Sequence, residues 1–243
     1  MNTPVHRSSL ALRTVALLEG LSESRLARLA QDCRWHQVAA RHPLLLRSAD
    51  GAAARGEPEV FFIVSGRVRV AIYSAAGRQV TFRDHGPGEL FGDLAAIDEG
   101  PRSADVHALE PSVVASLGRD GFLALLRDEP LVAERMLRRL AALVRELSDR
   151  VIDLSTLAVG DRLQAELLRL SREAGVSGNQ ARLDPAPRHA PLASRISTNR
   201  EQVTRELASL TRAGLLRKEG AALVVTDVER LAGQVAAARD GSA

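Results

Sequence analysis

The hydrophobic period of this chain changes twice along its length. Between about Val60 and Val114 the apolar positions recur as in strands: VFFIVSGRVRVAIY, a break at SAAGR, then QVTFRDHGPGEL. In GRVRVAIY, alternation puts Val68, Val70 and Ile72 on one face and Arg67, Arg69 and Ala71 on the other. Gly66, Gly77, Gly86 and Gly88 punctuate these runs as turns. An antiparallel β-rich unit is predicted, preceded by a short helix in SESRLARLAQDC with Ser22 as its N-cap.

From Pro130 to about Leu157 the period becomes helical. Leu137, Leu140, Val144, Leu147, Val151 and Leu154 step by 3, 4, 3, 4 and 3, an a/d seam over nearly three heptads. Valine at two a positions with leucine at d favours a parallel pair of helices, so a homodimer is predicted. The alternative is a core helix packed within its own chain. After Gly160, DRLQAELLRLSREAG reads as a further helix closed by Gly175, and GVSGNQARLDPAPR as a loop by composition.

The segment LASRISTNREQVTRELASLTRAGLL reads as a helix–turn–helix. Leu192 and Ile196 face inward, Ser197, Thr198 and Asn199 form the turn and cap, and the second helix begins near Arg200. At about 100° per residue Val203, Leu207 and Leu210 share the packed face, which leaves Arg200, Glu201 and Arg205 on the other side. Arginine forks onto guanine O6 and N7 and glutamate accepts from cytosine N4, so this face suits a major groove. Thr198 and Asn199 are placed for phosphate contact, and Thr204 lies on the same exposed side. An ordinary solvated helix face is the competing reading. The hairpin LLRKEGAALVV, read as a wing, favours DNA binding.

Composition narrows the class. The 243 residues suffice for two domains, and 45% hydrophobic with 26% charged residues is a globular balance. No run of 18 apolar residues spans a membrane, and the N-terminus lacks the apolar core of a signal peptide. Cys33 is the only cysteine, which excludes an internal disulfide and a four-cysteine cluster and fits the cytoplasm. Residues 1–158 carry 20 basic and 20 acidic side chains, and 159–243 carry 13 and 10, so the whole excess of +3 lies in the C-terminal part. Within 188–218, Arg188, Arg195, Arg200, Arg205, Arg212, Arg217 and Lys218 face only Glu201 and Glu206, a candidate phosphate-facing footprint.

The remaining chemistry lies in GELFGDLAAIDEGPRSADV, residues 88–106. A short helical turn with exposed amides holds an anion, Arg102 adds a bidentate clamp, and the Asp93 carboxylate accepts from a ribose hydroxyl. These are the anchors a cyclic nucleotide needs. Here the chain resembles the catabolite-activator/Fnr family of bacterial regulators over nearly its whole length, and Phe91 to Val106 is similar to the phosphate-binding cassette of cyclic-nucleotide-dependent kinases.

The resemblance implies an α+β architecture. A double-stranded β-roll domain (1–129) is followed by a dimerisation helix (130–158) and a C-terminal winged helix–turn–helix (159–243). It implies that Gly92, Asp93, Leu94, Ala95, Arg102 and Ser103 surround the cyclic phosphate and ribose, and that Arg200, Glu201 and Arg205 read a TGTGA-like half-site of a palindrome. Its partners would be double-stranded DNA, a second copy of itself and RNA polymerase.

Three departures bear on the effector. The cassette's usual glutamate is Asp93, one methylene shorter. The family's adenine-contacting Thr-Ser pair is Leu147-Ser148, of which Ser148 remains. Arg83 stands where cAMP-binding relatives carry a small polar residue; it suits the O6 and N7 edge of guanine, and Ser103 resembles the hydroxyl of cGMP-selective cassettes. The predicted effector is therefore cGMP or cAMP, with cyclic di-GMP, another effector, or ligand-free DNA binding as alternatives. No metal site is expected: His6, His36, His42, His85, His107 and His189 are scattered. Nor is an enzyme, since Asp98-Glu99 and Asp128-Glu129 sit in turn contexts without a nucleophile–base pair.

Overall fold

The computed structural model describes residues 8–47, 58–73 and 79–241; His6 and the predicted break at 74–78, Gly77 included, lie outside the described residues. The chain forms two compact units, 1–142 and 143–243. The fold is α+β, as the sequence predicts.

The first unit opens with α1 (Ser9–Leu12), a 3₁₀ turn (Ala16–Leu18) and α2 (Glu23–Asp32). Ser22 caps α2 by accepting from the Arg25 amide at 3.2 Å. The strands β1 (Arg34–Val38), β2 (Pro43–Leu45), β3 (Glu59–Ser65), β4 (Val68–Tyr73), β5 (Gln79–His85) and β6 (Leu90–Phe91) follow. After them come α3 (Asp93–Asp98), β7 (Asp105–Ala108), β8 (Ser112–Gly118) and α4 (Arg119–Asp128). Two four-stranded antiparallel sheets result, ordered β1-β8-β3-β6 and β2-β7-β4-β5.

Strand structure therefore begins well before Val60. β1 and β2 escape the periodicity reading because RWHQV mixes polar with apolar positions and PLL is too short to show a period. In β4, Val68 and Val70 pack together on the roll interior, as the alternation predicts, and Ala71 is also fully buried. The β4–β5 register slips there, with Val70 opposite Arg83 and Ala71 opposite Thr81, so Phe82 has no counterpart and the ladder bulges.

β3 shows how the unit is layered. Val60 and Phe62 face a core shared with α2, α4 and the 3₁₀ turn, whereas Phe61 and Ile63 face the roll interior. That interior holds Val68, Phe91, Val106 and Val114, with the Phe61 and Phe91 rings stacked at 4.9 Å.

α5 (Pro130–Thr156) has proline at its first position, where the missing N–H costs no hydrogen bond. Its 27 residues correspond to about 40 Å, and the helix is divided between the two units. Val132 and Met136 are buried and Leu140 packs beside them, but Leu137, Val144 and Val151 are each more than 60% exposed.

The second unit adds α6 (Val159–Ala174), β9 (Val176–Ser177), β10 (Gln180–Leu183), α7 (His189–Arg195), α8 (Arg200–Arg212), β11 (Leu216–Glu219), β12 (Ala222–Val225) and α9 (Val228–Arg239). The supposed loop GVSGNQARLDPAPR contains the β9–β10 hairpin, turned on Gly178 and Asn179 at φ 56° and 59°. β10 then pairs with β12 and buries Ala181 and Leu183, giving the sheet order β11-β12-β10-β9. α9, which the strand-pair ending of the sequence reading leaves out, buries Val228, Leu231 and Val235.

The turn between α7 and α8 is closed by the Thr198 amide donating to Ala193 O at 2.9 Å, with Ser197 left-handed at φ 55°. Glycine ordinarily holds this position because a Cβ strains it. Replacing Ser197 by glycine is expected to stabilise the protein by about 0.5–1 kcal/mol, read as a higher midpoint in thermal unfolding.

Candidate functional site

β6 pairs with β3 through Phe91–Phe61 and Leu90–Phe62 and delivers the chain to Gly92. There φ is 82°, and a Cβ would lie 2.7 Å from the Glu59 carbonyl oxygen and 3.1 Å from Arg102 Nη1. Only glycine fits both the left-handed turn and this approach. Asp93, 6% exposed, opens α3, whose first amides have no intrahelical partner. The helix stops at Glu99, also left-handed at φ 58°, and the chain returns past Gly100, whose amide donates to Asp98 Oδ1 at 2.8 Å.

The return limb carries Arg102, 8% exposed. Its Nη1 donates to Gly92 O at 3.0 Å and to Glu59 O at 3.2 Å. Among the described residues no carboxylate lies within ion-pair distance of it. Burial pulls its pKa below the usual arginine value, with the nearby Glu59 carboxylate acting in the opposite direction. Leu94 is partly exposed, Ala95 is buried and Ser103 faces solvent. The structure thus gathers Gly92, Asp93, Leu94, Ala95, Arg102 and Ser103 on one turn–helix–return unit beside the apolar roll interior; the Leu45 side chain would stand 3.4 Å from a Cβ at Gly92.

Arg83 pairs with Val70 across β5–β4, and Val70 with Val106 across β4–β7, so the three share one rung of the sheet. Residues of one rung project to the same side, which for Val70 and Val106 is the roll interior. The Arg83 guanidinium lies 3.8 Å from Glu89 and its side chain is 47% exposed. Ser148 is exposed on the part of α5 that belongs to the second unit.

One residue of this site escaped sequence reasoning. Arg139 on α5 places Nε 3.4 Å from Asp93 Oδ2 and donates from Nη2 to Leu90 O at 2.9 Å. Its signal was positional: a charge three residues after buried Met136 and next to Leu140 stands on the packed flank of an amphipathic helix.

Glu89 fixes the turn that leads into β6. Its Oε1 lies 2.9 Å from Nδ1 of buried His85, and its Oε2 accepts from the Gly86 amide at 2.7 Å. Partial burial alone would raise this carboxyl's pKa, but the hydrogen bonds from His85 and Gly86, with the charges of His85 and Arg83, outweigh it and bring it to about 2. The other carboxylate pairs are structural: Glu99 meets Arg119, and Asp128 and Glu129 meet Arg25. Burial with the Asp32 charge pushes the Cys33 thiol up to about 12, so it is inert.

In the second unit α8 carries the expected faces. Val203, Leu207 and Leu210 are buried, and Arg200, Glu201, Thr204 and Arg205 are exposed. Asn199 is the cap, its Oδ1 accepting from the Gln202 amide at 2.8 Å. Thr204 Oγ1 donates to Arg200 O at 2.9 Å and lies 2.8 Å from His189 Nδ1, which ties the start of α7 to the exposed side of α8. Thr198 is half-buried in the turn. β11 and β12 form the predicted hairpin around Gly220, with Arg217 and Arg182 both drawn to Glu219. Among the described residues, no group of three or more His, Cys, Asp or Glu is arranged to hold a metal ion, and no helix is long and apolar enough to cross a membrane.

Comparison with known proteins agrees with this division. Residues 53–129 match the cyclic nucleotide-binding domain family, and residues 161–233 the Crp-like helix-turn-helix domain family. The chain is 27% identical over 224 residues to the CRP-like cAMP-activated global transcriptional regulator of Mycobacterium tuberculosis, covering 91% of this chain and 96% of that one. It is 36% identical over 160 residues to the cyclic AMP receptor protein of Thermus thermophilus, covering 65% and 70%. Among solved structures, the c-di-GMP-responsive global regulator of Xanthomonas campestris superposes with a TM-score of 0.67 at 21% identity, covering 84% of this chain and 99% of that one.

Two outcomes follow from the geometry of the cassette. Gly92→Ala is expected to cost about 1–2 kcal/mol or more through the left-handed backbone and the Glu59 carbonyl, seen as a lowered denaturant midpoint. Glu89, with its folded pKa below the ordinary 4.5, stabilises the fold fully above pH 4.5 and loses that contribution as pH falls toward about 2. Acid titration of unfolding should show a shallower slope over that window in Glu89→Gln than in the parent.

Proposed function

The chain belongs to the catabolite-activator/Fnr family of transcription regulators, and on that premise we propose that it is a homodimer whose DNA binding is set by a cyclic mononucleotide, cGMP or cAMP. The observation that carries the effector reading is Arg102: a guanidinium 8% exposed whose hydrogen bonds go to two neutral carbonyl oxygens. A charge held out of water with no carboxylate at ion-pair distance among the described residues is costly, so an anion arriving there is strongly favoured. Among the described residues Arg102 is also the sole buried arginine, which suits one phosphate rather than two and favours a mononucleotide over cyclic di-GMP.

Asp93 and Arg139 together supply the sugar anchor in this reading. A ribose hydroxyl donating to Asp93 accepts from Arg139 at the same time, which compensates for the shorter carboxylate and lets α5 sense occupancy. The stacked Phe61 and Phe91 rings and the neighbouring valines offer apolar walls for the base. Arg83, on the rung of Val70 and Val106, is assigned the base edge and Ser103 a phosphate or guanine contact; Ser148, on the heptad flank of α5, is assigned a contact to the ligand of the partner subunit.

For DNA, Arg200, Glu201 and Arg205 are assigned the base edges of a TGTGA-like half-site, and Thr198, Asn199 and Thr204 the flanking phosphates. The exposed seam from Leu137 to Leu154 is assigned to the partner helix, giving functional divisions at 1–129, 130–158 and 159–243. Ligand binding shifts the population toward the helix pairing in which two α8 helices stand one duplex turn apart, roughly 34 Å. A DNA partner supports a cytoplasmic location in this reading, and RNA polymerase is assigned as a further contact.

Isothermal calorimetry of nucleotide-stripped protein with cAMP, cGMP and cyclic di-GMP tests the sensor. One mononucleotide should bind, and Arg102→Ala should weaken it on the order of 100-fold; binding of none would refute the effector. Arg83→Ala should lower any preference for cGMP over cAMP, and an unchanged preference removes Arg83 from base selection. Val144→Asp should give a folded monomer by sedimentation that no longer retards operator DNA; retained dimerisation contradicts the seam.

A further inference from the structure

The short connection between α5 and α6, around Leu157 and Ala158, joins the long helix to the elements that carry the helix–turn–helix. In this chain it is bridged from both sides, entirely within the second unit. Arg150, on the flank of α5 outside the seam, donates from Nη2 to Arg195 O at 2.8 Å. Arg162, in the first turn of α6, donates from Nε to Ile196 O at 3.1 Å and from Nη1 to Leu157 O at 2.9 Å. Arg195 and Ile196 are the last residue and C-cap of α7, so two guanidinium groups satisfy carbonyls that the helix end leaves open. On the other side Asp153 of α5 takes both arms of Arg239, at the end of α9, at 2.9 and 2.7 Å.

We propose that Arg150, Arg162 and the Asp153–Arg239 pair form a bracket that locks the helix–turn–helix onto the end of α5, which makes Arg150 a positioning residue for DNA recognition. It rests on the assignment of α8 as the reading helix. The carbonyls that Arg150 and Arg162 hold lie immediately before the turn at Ser197, Thr198 and Asn199, so they fix the direction in which α8 leaves. A fork of several N–H donors reaching a helix end is a task for arginine rather than lysine. The bracket carries any change in α5 to α8 without loss at the connection, because the two elements move as one body.

The test uses the full chain with Cys33→Ala and spin labels at the exposed positions Arg145 and Ala208, diluted with unlabelled chain so that only distances within one chain are read. The parent should give one narrow distance, and the Arg150→Met/Asp153→Asn variant a broad distribution. An unchanged distribution overturns the bracket. The second readout is DNA. The parent should prefer its operator over one with the half-sites a base pair further apart on the order of 10-fold. In the variant that preference should fall to within two- or threefold, with the salt slope unchanged because no phosphate contact is lost. Equal weakening on both spacings marks mere destabilisation and overturns the proposal. Arg150→Lys, which keeps one donor within reach, should restore part of the spacing preference. A parent that binds no specific DNA refutes the reading of α8 instead, and the distance measurement still decides the bracket.

Discussion

At Gly92 the backbone turns left-handed with the Glu59 carbonyl so near that a Cβ would stand 2.7 Å from it. That approach puts two carbonyl oxygens, of Gly92 and Glu59, on one side of Arg102, where Nη1 receives both. The arrangement keeps a positive charge ordered and largely dry, with no carboxylate at ion-pair distance among the described residues. The rest of the first unit follows from this turn. α3 starts there with its amides open, Asp93 is set into the wall, and β3 and β6 are pinned as neighbours by the same crossing. For the proposed phosphate ligand such a site is preorganised: folding has already met the cost of desolvating the cation, and an anion bound there would collect the benefit.

Arginine recurs at every joint. Arg135 reaches the Leu17 and Glu19 carbonyls at the end of the 3₁₀ turn, Arg139 the Leu90 carbonyl, Arg150 the end of α7, and Arg162 both that end and the α5–α6 connection. Lys218 is the chain's only lysine. Arg139 and Arg162 each use two nitrogens of one planar fork for separate acceptors, which an ammonium of the same charge does not offer. Some of the basic content is therefore internal scaffolding, and the footprint counted along 188–218 overstates what faces solvent: Arg195 is mostly covered and sits near Glu166, while exposed Arg217 shares its charge with Glu219.

Legibility of the sequence divided along physical lines. The long helix, the cap at Ser22, the turn at Ser197 to Asn199 and the buried face of α8 were all readable, because each rests on local spacing or on one side chain bonding its own backbone. β1, β2 and the β9–β10 hairpin were not. Their short strands gain stability from neighbours distant in sequence, such as β8 for β1 and β12 for β10. The cassette could be located from its glycine, its carboxylate and its Pro-Arg pair. Arg139 could not, since its role depends on a helix 46 residues further along coming to rest beside Asp93. The bulge opposite β4 was not legible either, because a single unpaired residue in β5 leaves no mark on local spacing.

The bare stripe of Leu137, Val144 and Val151 has a consequence for control by abundance. Apolar surface of this kind is usually covered by a partner, and under the proposed dimer a dilute chain and a concentrated one present different species to the genome. With two proposed reading helices meeting one operator, occupancy below the dimerisation threshold would rise with the square of the protein's own concentration. Such a cell tunes two dials on one circuit: the level of the small molecule, and the rate at which it makes the sensor.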